Sequence, residues 1–209
     1  MKRHILCGTR QLCMLCFVVL IVMVLVSCSP VFAMRSTPTV VPTFTPEKLE
    51  LINGELDACQ LINLTEVESL VGMKVNPKKS FAESGWWCFY YPDSGDRGAL
   101  FEIVVFTDAT IKRANQPLHR KFNSTELDSA ADVYDGRKMV SQGMAQELSD
   151  YKMEQIEDLG DAAFSTELSF LTIHILNNGI FYEFSAYMSN GISKETLMKL
   201  VNIALPRMP

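Results

Sequence analysis

The sequence predicts an α+β domain: an antiparallel sheet of about five strands packed by an N-terminal and a C-terminal helix. Three observations carry that reading. Trp86 to Tyr91 alternates as an aromatic strand, and the turn-forming stretch Asp93 to Gly98 separates it from the apolar run Leu100 to Phe106, the pattern of a hairpin. Leu168 to Leu176 and Ile180 to Met188 flank Asn177-Asn178-Gly179, whose residues tolerate the positive φ of a tight hairpin turn. Leu197, Leu200, Val201 and Ala204 share one face of a closing helix that Ser193 caps and Pro206 stops.

The chain before that domain is a targeting segment. Lys2, Arg3, His4 and Arg10 precede a stretch without charge from Gln11 to Met34, whose centre, Leu12 to Val26, is almost wholly apolar. A positive n-region, an apolar core and a small residue at the cut define an export signal. Leu25-Val26-Ser27-Cys28 matches the bacterial lipobox, which makes residues 1–27 a lipoprotein signal peptide and Cys28 the lipidated first residue of the mature protein. Diacylglycerol plus an N-acyl group, palmitate for example, supplies several chains at about 0.8 kcal/mol per buried CH2, an anchor that does not readily let go. Two other readings use the same residues. Val31-Phe32-Ala33 fits an ordinary secretory cut, and an uncleaved segment over 11–34 is long enough, at about 1.5 Å per residue, to span about 30 Å of hydrocarbon. In all three the positive charge precedes the apolar run, so the domain is exported to the extracytoplasmic side of the cell membrane.

Residues 28–46 read as a tether. Pro30, Pro38, Pro42 and Pro46 alternate with Thr37, Thr39, Thr43 and Thr45, a composition that favours extended, semi-stiff chain. The globular unit is then 47–209, one domain's worth of chain. The 209 residues are 48% hydrophobic and 21% charged, with a formal net charge of −5. Removing Lys2, Arg3 and Arg10 with the signal leaves 16 basic residues against 24 acidic ones, a net charge of −8. That balance excludes a nucleic-acid binder, which needs clustered Lys and Arg; Lys78-Lys79 and His119-Arg120-Lys121 read as solvated loop charges.

Within the domain, Thr65-Glu66-Val67-Glu68 reads as a capping box for a short helix to Val71, ended by Gly72 in a left-handed conformation. The stretch Asp108 to Asp150 is the least legible. Glu126 to Tyr134 and Arg137 to Leu148 each read as a helix, with Gly136 between them. Tyr151 to Glu157 reads as a strand. Cys7, Cys13 and Cys16 lie in the signal, so Cys59 and Cys88 are the two cysteines of the domain and, in an oxidising compartment, pair. That bond would pin the approach to the first helix against the sheet face shared by Trp86, Cys88 and Tyr90.

Cys59-Gln60-Leu61, Thr65 to Gly72, Cys88 in its aromatic strand and Leu159-Gly160-Asp161-Ala162-Ala163-Phe164 together resemble an uncharacterised lipoprotein family of the actinobacterial type. The resemblance runs over most of 57–209 and implies a small exported α+β domain behind a lipobox and a Thr/Pro tether, similar in some relatives to a PsbP-like sandwich. It implies no reaction. This chain departs from the compact pattern by inserting Ile62-Asn63-Leu64 before the threonine.

Motifs that carry chemistry are sparse, and the sequence reads as non-catalytic. The domain's histidines are His119 and His174, and no serine stands in a nucleophile elbow. His174 lies on the strand face of Thr172 and reads as a partly exposed structural residue. Asp128, Asp132 and Asp135 read as a solvated acidic face, and neither they nor Asp93-Ser94-Gly95-Asp96 make a calcium loop, so no metal and no cofactor are expected. The strip Trp87, Phe89 and Tyr91 is the candidate surface for a sugar, an apolar ligand or an envelope protein, if helices cover only the other face of the sheet. The expected function is a membrane-anchored binding or accessory module; a carrier with an apolar cavity between sheet and helix, and a hydrolase, are the alternatives.

Overall fold

The structure is a computed structural model that describes residues 47–82, 84–94, 98–114 and 127–209. The lipobox with Cys28, the tether, the centre of the Asp93 to Gly98 turn, His119-Arg120-Lys121 and the expected helix start at Glu126 lie outside the described residues. No helix among the described residues is long and apolar enough to cross a membrane.

The described chain is α+β, as predicted, but its sheet has seven strands rather than about five. They are β1 (Val75–Ala82), β2 (Gly85–Pro92), β3 (Phe101–Phe106), β4 (Lys152–Ile156), β5 (Ala162–Glu167), β6 (Phe170–Asn177) and β7 (Ile180–Tyr187). The order is β1-β2-β3-β7-β6-β5-β4, with every neighbouring pair antiparallel. Two meanders, β1 to β3 and β4 to β7, thus join edge to edge along β3 and β7. The extra strands are β1 and β5. In β1 only Val75 is buried, because an edge strand needs no apolar face; Lys78 and Lys79, read as loop charges, are strand residues facing Phe89 and Cys88 across the ladder. Charged residues and Pro77 on that edge also discourage pairing with another chain. In β5 the short side chains of Ala162, Ala163 and Ser165 give no strong strand signal, although the neighbours on both sides enforce one.

Among the described residues four α-helices accompany the sheet: α1 (Leu64–Val71), α2 (Asp108–Ala114), α3 (Ala130–Glu147) and α4 (Lys194–Ala204). The capping box of α1 sits two residues earlier than predicted. Asn63, a stronger cap than threonine, accepts from the Glu66 amide at 3.0 Å, and Glu66 accepts from the Asn63 amide at 3.0 Å. Glu68 instead receives Lys74 Nζ at 2.7 Å. Gly72 takes the left-handed conformation expected of it, φ 70. The two helices expected on either side of Gly136 are one, α3: Ser129 caps it with Asp132, and the helix runs through Gly136 and Gly143 because burial of Ala130, Tyr134 and Ser141 against the sheet outweighs about 1 kcal/mol lost at each glycine. Asp132 serves that cap, and among the described residues no acidic or histidine cluster suits a metal.

The helices divide between the two faces. Helices α1 and α4 bury Val67, Leu197, Leu200 and Val201 against the face that carries Cys88, Tyr90, Ile103 and Ile173, the larger core. Cys59, in a single 3-10 turn over Ala58–Gln60, is disulfide-bonded to Cys88 on that face, with Cα atoms 5.1 Å apart. Helix α3 packs across β4, β6 and β7 on the opposite face, where Tyr134 meets Phe164 and Phe181 edge-on. The expected turn at Asn178-Gly179 has both residues at positive φ, 50 and 72.

Candidate functional site

The site is a groove of about 640 Å3 between α3 and the sheet. Strand alternation sends Thr172 and His174 of β6, Glu183 and Ser185 of β7 and Thr166 of β5 toward the helix. Register then brings them together, since His174 pairs with Glu183, Thr172 with Ser185, and Thr166 with Thr172. From above, Arg137, Ser141 and Met144 follow Ala130 and Tyr134 along one stripe of α3 at spacings of three and four residues, so the same helix face covers the sheet and roofs the groove. Val140, Leu168 and Phe170, all more than 40% exposed, form an apolar rim.

The floor is a buried polar chain. Glu183 Oε1 lies 3.1 Å from His174 Nδ1 and 3.2 Å from Arg137 Nε; the Glu183 and His174 side chains are 8% and 7% exposed. The Nδ1 contact is close but off the line a strong hydrogen bond requires. His174 Nε2 is 3.3 Å from Thr166 Oγ1. The imidazole stacks on Phe164, with centroids 4.3 Å apart, and is 6.1 Å from the Phe181 ring. Thr172 and Ser185 share a hydroxyl bond of 3.0 Å, and Tyr151 donates to Ser141 at 3.0 Å near the end of the helix. Burial pushes the phenols of Tyr134 and Tyr182 up from their ordinary range.

His174 is therefore buried, not partly exposed as the sequence suggested. The Thr172 face was assigned to solvent because α3 was not legible as the single helix that covers it. Glu183, which the sequence reading passed over, interrupts the apolar run of β7 directly opposite His174, and a charge in a doubly covered strand is the signal that marks the floor.

The aromatic strip is half-buried. Trp87 stacks on Phe89 at 5.4 Å and Phe89 leans on Tyr91 at 6.3 Å, so these rings spend faces on one another. Trp87 Nε1 is held by the Ala82 carbonyl at 2.9 Å. Of the three, Trp87 also lines the groove, at its sheet end. A smaller hollow of about 240 Å3 beside Trp86 lies among charges already matched: Glu55 accepts from Trp86 Nε1 at 2.7 Å and pairs with Arg113.

Fold and groove define an α+β protein whose disulfide-pinned antiparallel sheet carries helices on both faces and a polar-floored groove under one of them. No family model, curated protein or solved structure matches the chain.

Proposed function

We propose that this protein is a lipoprotein of the bacterial cell envelope, anchored through Cys28 on the extracytoplasmic side of the membrane, and that its domain is a non-catalytic module that holds a small ligand between α3 and the sheet. The groove carries the reading. At about 640 Å3, with an apolar rim and a few convergent polar groups on its floor, it has the size and chemistry of a small-molecule site. The lipobox spelling and the Thr/Pro tether support the anchor, and the placing of Cys59, Cys88 and the closing helix suits the resemblance to actinobacterial-type lipoproteins and their PsbP-like relatives. The carrier alternative and the binding module converge on this groove. The half-buried strip of Trp87, Phe89 and Tyr91, extending from it along β2, is the surface for an envelope partner.

A hydrolase is the second reading, favoured by the Glu183–His174–Thr166 chain, in which a hydroxyl, an imidazole and a carboxylate follow one another. Thr166 is only 8% exposed and the imidazole is held against Phe164, which suits a buried structural network better than a nucleophile.

The test is native mass spectrometry of the full chain incubated with a lipid and glycan extract of bacterial envelopes. A stoichiometric adduct that disappears in Val140→Trp, which fills the groove from its exposed rim, supports the binding module; no adduct in the presence of the extract refutes it. Ester turnover that Thr166→Val abolishes would replace it with the hydrolase. Cys28→Ala is expected to release the protein from membranes or stall its processing, and membrane retention with a cleaved N-terminus would refute the lipid anchor.

A further inference from the structure

We propose that Asn53 is a site of spontaneous covalent modification: it loses its side-chain amide by cyclising onto Gly54, which leaves aspartate or isoaspartate in the turn that borders the hollow beside Trp86. The domain contains three Asn-Gly pairs, Asn53-Gly54, Asn178-Gly179 and Asn190-Gly191. Glycine has no Cβ to hinder approach to its amide nitrogen, so all three have the sequence for cyclisation. What separates them is how the fold holds the asparagine. Asn178 Nδ2 donates to the Pro209 carbonyl at 2.8 Å and its backbone amide to Asp161 Oδ2 at 2.6 Å, in the turn that closes the eight paired positions of β6 and β7. Asn190 Nδ2 donates to the Ala99 carbonyl at 2.7 Å, and the Gly191 amide to the Met188 carbonyl at 3.3 Å. Among the described residues no hydrogen bond holds the Asn53 side chain, and Asn53 and Gly54 are both exposed.

The backbone of the turn is left-handed, φ 54 at Asn53 and 78 at Gly54, and cyclisation requires Asn53 to leave that conformation. Opening is easy there. The turn is closed by one isolated bridge, the Ile52 amide to the Glu55 carbonyl at 2.9 Å and the reverse at 3.0 Å, and Ile52 is 70% exposed, so little burial opposes it. In the opened turn the Gly54 amide nitrogen gives its proton to hydroxide and attacks Asn53 Cγ. The new C–N bond closes a five-membered imide as the Cγ–Nδ2 bond breaks, and that nitrogen takes up a proton and departs as ammonia. Water then adds to either imide carbonyl and reopens the ring, to aspartate or to isoaspartate, without any oxidant or reductant. Either product adds a carboxylate beside Glu55 and Asp57, which already line the hollow with Lys79 and Arg113. Isoaspartate also lengthens the backbone of the turn by one methylene, which breaks the bridge and loosens Glu55, the partner of Trp86 Nε1 and Arg113.

The experiment is a time course of the full chain in a non-ionic detergent, aged in mildly alkaline buffer made with oxygen-18 water, then digested in ordinary water and read by peptide mass spectrometry. The heavy oxygen marks conversions that took place in the folded protein and excludes those of the digestion. The peptide containing Asn53 is expected to take up the label about tenfold faster than those containing Asn178 or Asn190, and to split into two chromatographic forms, aspartate and isoaspartate. In urea the three peptides should react at similar rates, because the fold and not the local sequence sets the order. Asn53→Gln should remove the early acidic species of the whole protein, with circular dichroism to check that it folds. Labelling of Asn178 or Asn190 as fast as Asn53 in the folded protein would overturn the assignment, as would a folded Asn53 that stays unlabelled while the unfolded chain converts. A lead for Asn53 that persists undiminished in urea would overturn the role given to the hydrogen bonds at Asn178 and Asn190.

Discussion

Arg207, two residues before the last, grips Glu66 in the first turn of α1 with two parallel bonds, Nη1 to Oε2 and Nη2 to Oε1, each 2.7 Å. The same Nη1 also donates to the Leu61 carbonyl at 3.0 Å, and the Leu49 amide donates to the Arg207 carbonyl at 2.8 Å. Arg207 thereby ties the start of the domain to its end, and its side chain holds α1 through a forked, charge-assisted geometry that lysine would not reproduce.

Arg207→Lys should therefore destabilise the domain measurably, and Arg207→Ala by about 1 to 2 kcal/mol, read as a lower midpoint in urea unfolding. The hydrogen bonds from Arg207 hold the Glu66 carboxyl below its ordinary range. A lowered native value means that this contribution is complete above the unfolded carboxylate range, near pH 4.5, and declines as the pH falls toward the lowered value. Acid unfolding of Glu66→Gln should lack that component; an unchanged acid limb would show that the pair contributes nothing.

The disulfide closes a sequence separation of 29 residues. In the chain-entropy model that is worth about 3 to 4 kcal/mol, so Cys59→Ser with Cys88→Ser, or reduction by a thiol, should lower Tm by roughly 6 to 16 °C. A melting curve indifferent to reductant would contradict the bond.

Two glycines should respond with opposite signs. Gly160 has φ +63, and a Cβ there would meet the Leu176 carbonyl oxygen at 2.6 Å, so Gly160→Ala should destabilise by about 2 to 4 kcal/mol. Gly143, inside α3 with nothing near its would-be Cβ, should give a gain of about 0.5 to 1 kcal/mol as alanine. Denaturant midpoints of the two variants provide the comparison.

The Tyr182 hydroxyl is buried without a hydrogen-bond partner among the described residues. Tyr182→Phe removes that unsatisfied group and keeps the ring, so stability should hold or rise by about 1 kcal/mol. Tyr90 differs, since its hydroxyl reaches the Ile62 carbonyl at 3.4 Å, and Tyr90→Phe should bring no gain. A marked loss in Tyr182→Phe would reveal a bond to that hydroxyl.

Local patterns made much of this architecture legible. The β2–β3 and β6–β7 hairpins declared themselves by alternation and turn chemistry, and α4 by its cap and apolar stripe. What escaped was of two kinds. Strand β1 carries lysines and a proline where an edge is free to be polar, and β5 is made of small residues that any neighbouring strand can enforce. Helix α3 was split at Gly136 because local propensity counts a glycine and does not count the sheet beneath Tyr134.

The candidate site depends on that same helix. Trp87 was marked from its strand, but its partners in the groove, Arg137 of α3, His174 of β6 and Glu183 of β7, meet only once α3 covers the second sheet face and β7 aligns with β6. The α+β class, the cysteine pair and the two clearest hairpins follow from the sequence by itself, since each depends on chemistry within a few residues or on counting. The seven-strand order, the join of β3 to β7 and the polar floor of the groove were decided by the tertiary structure alone: they depend on contacts between residues distant in the chain, whose energies no local pattern records.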